Sequence, residues 1–491
     1  MKCHTKGIIV YTLAASSVFT ASGKENGLKL AGVFADHMVL QQQTDASIWG
    51  FAEAGETVTV TPSWSRRGEK VKANKEGKWL TTIETPKAGG PFTIEVESGD
   101  EKVELKDVLS GEVWICSGQS NMQWKMRGFG VDHFEDDVKK AKHPEIRFCD
   151  VPQLLGLEEQ DDVQTRWTVC SPNTVLNFSA VAYFFGSQLH EELDVPIGLV
   201  STNWGGSSAE AWMGEEVLQK DFPEFKESLK KSAKLVDDLG SVFPRGKDVP
   251  KGLNQRTPAV LYNSMIKPLQ PFAMRGVIWY QGESNVKAPE QYQTLFPRLI
   301  QSWRADWQQG DFPFYFVQIA PFAYKAEPIP VAFLREAQAM ALAEPNTGMV
   351  VTMDVGQVDN IHPKDKKPVG ERLARLALAR DYGKEGLVDS GPMYESFKVE
   401  GKKVRLSFKG IGGGLVSRNG EPLSHFTVAK RNGPFVEAQA EIDGDTVVVW
   451  SDEMSRPADV RFAWGNADEP NLMNKEGLPA AQFRTDDRPI K

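Results

Sequence analysis

Val113-Trp114-Ile115-Cys116-Ser117-Gly118-Gln119-Ser120-Asn121-Met122 pairs a short apolar run with a polar turn built on glycine. Four apolar residues stopped by a glycine suit a buried strand, and the turn after it opens a helix. The same design occurs twice more. Ile197-Gly198-Leu199-Val200 precedes Gly205-Gly206-Ser207, and Val277-Ile278-Trp279-Tyr280 precedes Gln281-Gly282-Glu283-Ser284-Asn285. In an open parallel sheet the carboxyl ends of the strands form the crevice where ligands bind. The three turns are therefore expected along one sheet edge, joined by a fourth motif far downstream, Asp359-Asn360-Ile361-His362-Pro363.

The surrounding chain supports an α/β reading over residues 111–385. Ile146-Arg147-Phe148, Phe314-Tyr315-Phe316-Val317 and Met349-Val350-Val351-Thr352-Met353 read as further strands. Between them, helical patterns run over 182–192, 295–307, 335–343 and 369–381, the last with Gly383 as its stop. Such alternation implies a mostly parallel sheet covered on both faces. Residues 28–110 instead show short alternating runs, such as Thr57-Val58-Thr59-Val60-Thr61, between glycine-rich turns. That pattern predicts a β-sandwich-like accessory domain. Residues 386–491 return to β-rich runs, which either form their own domain or pack with the amino-terminal β segment. At 491 residues, two or three domains are expected.

Composition excludes some classes of function. With 57 Lys+Arg against 66 Asp+Glu and a net charge of −9, nucleic acid is not an expected partner. The Lys364–Lys367 stretch reads as a solvated surface. Residues 1–23 read as an export signal: Lys2 and Lys6, an apolar stretch from Ile8 to Ala15, then small residues through Gly23. No second apolar segment follows, so the mature protein is expected without a membrane span, in the periplasm or secreted. Removing the signal leaves Cys116, Cys149 and Cys170, which is no disulfide framework. A Cys149–Cys170 bridge stays open at this level. No Cys/His spacing suits a metal, and none is expected.

The four motifs together carry the parts of a serine esterase. A serine hydroxyl becomes a useful nucleophile when an imidazole takes its proton and a carboxylate orients that imidazole. Of the seven His in the chain, only His362 has an Asp three positions earlier, Asp359. Ser120 is then the candidate nucleophile, with helix capping as its plain alternative. Gly118-Gln119-Ser120 lacks the second glycine of a Gly-x-Ser-x-Gly elbow, since position 122 is Met. Acyl transfer also needs donors aimed at an oxyanion. The candidates are the Gly205-Gly206 turn and the side chains of Gln281 and Asn285. Trp204, Trp212, Met213, Trp124 and Trp279 read as pocket wall or core, although thirteen Trp also suit a sugar-facing protein.

Read together, residues 114–122, 203–212, Leu261-Tyr262-Asn263-Ser264-Met265-Ile266-Lys267-Pro268-Leu269, 279–285 and 359–363 closely resemble the sialate O-acetylesterase family of the SGNH hydrolases. The stretches 34–41 and Gly77-Lys78-Trp79 resemble the β-domain that precedes the catalytic domain there. The resemblance implies a three-layer, flavodoxin-like SGNH fold without cofactor or metal, with Ser120 as nucleophile, His362 as base and then acid, and Asp359 as orienting carboxylate. It departs from the superfamily's Gly-x-Asn-Asp block, because Asn285 stands three positions after Gly282. The oxyanion donors that the resemblance implies are the Ser120 amide, an amide of Gly205-Gly206 and a side-chain amide, for which Gln281 therefore becomes preferred over Asn285.

The expected function is removal of O-acetyl groups from a carbohydrate through an acyl-Ser120 intermediate. Sialic acid and acetylated plant polysaccharide of the xylan or xyloglucan type are the two substrate readings. A sialate carboxylate wants a cation, and Arg256 and Lys267 flank the Tyr262-Asn263 block, so Arg256 and Asn263 are the candidate substrate contacts. A lipase or thioesterase, or a non-catalytic glycan-binding protein, are the rivals. The oligomeric state is left open.

Overall fold

Six strands run side by side and point the same way: β1 (Glu101–Gly118), β2 (Ile146–Asp150), β3 (Ile197–Asn203), β4 (Gly276–Tyr280), β5 (Phe314–Val317) and β6 (Thr347–Val350). The computed structural model describes residues 27–128, 134–324 and 331–489 and orders these strands β2–β3–β1–β4–β5–β6. Every neighbouring pair is parallel. Gly118 pairs with Asn203 on one side and Tyr280 on the other. The three motif-bearing strands thus end level, and their turns emerge at one height. The export signal proposed for residues 1–23 lies outside the described residues.

Side-chain alternation along β1 serves two cores. Trp114 and Cys116 face helices α2 (Ala180–Leu193) and α5 (Lys367–Arg380), among Val181, Phe185, Leu373 and Ala377. Val113 and Ile115 face the opposite core, which holds Trp279 of β4 and the Leu295, Phe296 and Trp303 side chains of α3 (Pro289–Trp307). A strand buried on both faces reads as a near-continuous apolar run, as 113–116 does. Helix α4 (Val331–Met340) packs beside α3. The third helix pattern, expected over 335–343, begins four residues earlier and ends in a 3-10 turn at Ala341–Ala343. The strand expected over 349–353 is shifted to Thr347–Val350, because Thr352 leaves the ladder and its hydroxyl donates to the Gln318 carbonyl at 2.7 Å.

Strand β1 also carries the amino-terminal β region. Its first half pairs with Gly89–Ser98 and with Val39–Gln41, and its second half with β3 and β4. The boundary placed at 110/111 therefore falls inside one strand. A three-stranded sheet of Lys29–Leu30, Asp45–Phe51 and Lys78–Glu84 completes the region, and Ile48, Val58, Val60 and Ile94 are buried there.

The carboxyl-terminal strands pair among themselves in two four-stranded sheets and one two-stranded ribbon. Their attachment is to α4. Arg484 grips Glu336 with two hydrogen bonds of 2.7 and 2.9 Å, and buried Arg335 donates to Gln482 Oε1 at 2.9 Å and the Asn466 carbonyl at 2.8 Å. Cys149 and Cys170 are both free and buried, with their thiols pushed up to about 12 by burial.

Candidate active site

Gly118 decides how the first motif turns. Its φ is +135°, and a Cβ there would lie 2.3 Å from the Tyr280 carbonyl oxygen. Only glycine lets the end of β1 approach β4 so closely. The Gln119 amide then donates to Tyr280 O at 2.9 Å, and helix α1 (Ser120–Gln123) starts at the level of the strand ends. Ser120 is the first helical residue and Gln119 is the cap, so the capping role considered for Ser120 is corrected. No partner in the described residues takes the Ser120 amide proton.

The Ser120 hydroxyl stands 2.8 Å from His362 Nε2, across 242 residues of chain. The ring packs on Trp124 at 5.8 Å between centroids, and the His362 amide donates to Asn360 Oδ1 at 3.0 Å. Burial, and then the Lys366 charge, hold the imidazole below its ordinary pKa of 6.5. Both effects favour the neutral imidazole, the form that can accept a proton. Asp359 is placed differently from expectation. Its side chain is exposed, and no hydrogen bond or ion pair joins it to His362.

The second motif lies against Ser120. A Cβ on Gly205 would come within 3.3 Å of the Ser120 Cβ. The Gly205 amide is already engaged, donating to Gln123 Oε1 at 2.7 Å. The Gly206 amide, at φ +76°, has no partner among the described residues. From the outer side, Gln255 Nε2 donates to the Gly205 carbonyl at 3.3 Å and Arg256 Nε to the Gly206 carbonyl at 2.9 Å. Arg256 is exposed, and its two terminal nitrogens make no hydrogen bond within the described residues.

The preference for Gln281 as oxyanion donor is corrected. Its carboxamide is fully buried and both N–H groups donate inward, to Ser207 O at 3.2 Å and Asn285 Oδ1 at 2.7 Å. Its oxygen accepts from the Tyr292 hydroxyl at 2.9 Å. Asn285 Oδ1 also accepts the Ala209 amide at 3.0 Å, and its Nδ2 donates to Glu210 at 3.0 Å, which leaves one amide proton unassigned. The pair braces the turn after Gly206 rather than presenting two free amides.

Asn263 is corrected as well. It lies in a π-helical turn, Tyr262–Ile266, is 3% exposed, and donates to the Gly156 carbonyl at 3.1 Å. A substrate does not reach it. Lys267 pairs with Glu159 at 3.2 Å. Trp212, Met213 and Trp279 are core, as expected.

Two groups at the site escaped the sequence reading. The Lys364–Lys367 stretch is not all solvated surface: Lys366 is fully buried, and its ammonium donates to Asn121 Oδ1 at 2.6 Å. Asn121 Nδ2 in turn donates to Glu283 Oε1 at 2.6 Å and to the Ile361 carbonyl at 3.1 Å. The available signal was spacing, since Lys366 follows His362 by four and Asn121 follows Ser120 directly.

Residues 110–242 and 247–379, which contain Ser120 and His362, match the profile of a family described as carbohydrate esterase, sialic acid-specific acetylesterase. The chain belongs to that family. This esterase is 33% identical over 427 residues to the sialate O-acetylesterase of Rattus norvegicus, which covers 78% of each chain. It is 32% identical to that of Homo sapiens, covering 78% of this chain and 76% of the human one. Among solved structures, a carbohydrate acetylesterase from Xanthomonas citri superposes with a TM-score of 0.82 at 34% identity, covering 94% of this esterase and all of that chain.

Proposed function

We propose that this esterase removes acetyl groups from O-acetylated carbohydrate, with Ser120 as nucleophile and His362 as the base that activates it. The observation that carries the reading is the 2.8 Å approach of Ser120 Oγ to His362 Nε2. The parallel sheet with helices over both faces supports assignment to the three-layer, flavodoxin-like SGNH type.

In the proposed sequence Ser120 Oγ attacks the acetyl carbonyl as its proton passes to His362 Nε2. The carbonyl oxygen becomes an oxyanion, facing the unengaged amides of Ser120 and Gly206. Each such donor contributes roughly 2.7–4 kcal/mol to the transition state. Collapse of the tetrahedral intermediate breaks the bond to the sugar oxygen, which takes the proton from His362. Water, deprotonated by His362, then attacks acetyl-Ser120, and acetate leaves as Ser120 regains its proton. Asp359 is the proposed orienting carboxylate. Because it is exposed and apart from His362, that role requires the 357–362 turn to draw in when substrate binds, as catalytic contacts often do.

Arg256 favours the sialate reading over a neutral polysaccharide. Its Nε is anchored at Gly206 while its terminal nitrogens make no hydrogen bond within the described residues, which suits the fork to a sugar carboxylate. The proposed location is the periplasm or the exterior, on the basis of the amino-terminal sequence pattern.

Acetate release from O-acetylated sialic acid and from acetylated xylan, measured side by side, tests the reading. Release that persists in Ser120→Ala rejects Ser120 as nucleophile, and a preference for xylan rejects the sialate assignment.

A further inference from the structure

Lys366 is a cation with no exposed surface and no ion pair within 4 Å among the described residues. Its ammonium lies 5.4 Å from the centre of the Trp124 ring and 5.8 Å from that of Tyr280. Its one hydrogen bond goes to Asn121. The Asn121 carboxamide stands between the Lys366 ammonium and the Glu283 carboxyl, its oxygen toward Lys366 and its nitrogen toward Glu283, whose pKa burial raises. Both bonds are 2.6 Å, the length of strong, charge-assisted contacts. The second proton of the same nitrogen reaches the Ile361 carbonyl, one residue before His362. One carboxamide thus ties together the nucleophile helix, the third motif and the histidine loop. Burying a charge this way is costly unless it has a role or a partner.

We propose that Lys366, Asn121 and Glu283 form a buried relay of positioning residues that fixes the His362 loop against Ser120. Through the Lys366 ammonium, the relay favours the neutral imidazole over the protonated one. This rests on the assignment of His362 as the base. The Trp124 ring is shared, carrying Lys366 and also packing on His362, so the cation acts on the imidazole through an apolar, poorly screened gap. Asp359 and Asp365 are exposed, Tyr280 is held neutral by burial, and Glu283 lies on the far side of Asn121. Burial brings the Lys366 ammonium down to about 7. It is therefore charged in the acidic range where His362 titrates.

The test is the pH profile of kcat/KM with a chromogenic aryl acetate for Lys366→Gln, Lys366→Met and Lys366→Arg. Losing the cation should raise the acid limb, so that at a fixed pH on that limb the Gln and Met variants retain roughly threefold to tenfold less of their plateau rate than the parent. Lys366→Arg should restore the parental limb. A merely structural lysine would lower the plateau and leave the limb in place, and an unmoved limb in both neutral variants overturns the proposal. Should the lysine variants not fold, Asn121→Ala removes the carboxamide that joins Lys366 to the His362 loop and should lower kcat with KM little changed; an unaltered kcat there overturns the proposal equally. A Ser120→Ala control separates the two failures, since turnover without Ser120 rejects the mechanism itself and not only the relay.

Discussion

Gln123 Oε1 accepts the Gly205 amide proton at 2.7 Å, so the residue that ends the nucleophile helix fixes the glycine turn facing it. The bond removes Gly205 from the set of oxyanion donors and aligns its neighbour. Gly206 then stands as the second-motif amide able to face a developing charge.

Gln123→Ala should therefore loosen the 205–206 turn without touching the nucleophile. A displacement of about an ångström in such a turn costs on the order of 10²-fold in rate. The expected result is a fall in kcat approaching that size, with KM little changed and the thermal midpoint within a few degrees of the parent. Unaltered kcat would show that the Gln123 contact does not align the donors.

Replacing Arg256 by Gln should discriminate between substrates. A hydrogen bond to a charged group contributes about 1.5–3 kcal/mol, or roughly 10- to 100-fold. The variant should lose that factor in kcat/KM on O-acetylated sialic acid and keep its rate on an uncharged aryl acetate. Equal losses on both would place Arg256 in turn support alone.

Asp359→Asn probes a carboxylate that the resting structure leaves exposed. If the 357–362 turn closes on substrate, kcat should fall by as much as ~10⁴-fold, the scale for loss of the orienting carboxylate in a serine triad. A loss under tenfold would mean that Ser120 and His362 act as a dyad.

The pH dependence follows from His362. Its folded pKa lies below 6.5 because of burial and the Lys366 charge. The base loses activity as it is protonated, so the acid limb of kcat/KM should be centred below 6.5. A limb centred above 6.5 would contradict the environment described for the imidazole.

Gly118→Ala should be a stability defect before it is a catalytic one. The new methyl meets the Tyr280 carbonyl, and φ +135° is strained for alanine. The expected loss is at least ~3 kcal/mol, read from denaturant midpoints, within the range for strain and overpacking combined.

The sequence by itself determined the parallel sheet, the placing of the motifs at one edge of it and the Ser120–His362 pair that the fold brings together. Apolar runs such as 113–116 and 197–200 are legible because a strand buried on both faces leaves no polar alternation, and the Gly-rich turns mark where each strand must end. Ser120 and His362 were readable because their chemistry demands specific residue types. The tertiary structure decided what spacing does not encode. Gln281 and Asn285 carry the same amide, yet the fold commits both protons of Gln281 to inward hydrogen bonds and leaves one of Asn285 unassigned. Asn263 sits in a conspicuous motif and proves to be buried against Gly156. Lys366 looked like one of a solvated run until helix α5 turned it under Trp124. A side chain's hydrogen-bond partners come from segments more than a hundred residues away, as with Asn121, Glu283 and Lys366. Local sequence fixes which groups are offered, and only packing fixes which of them are taken.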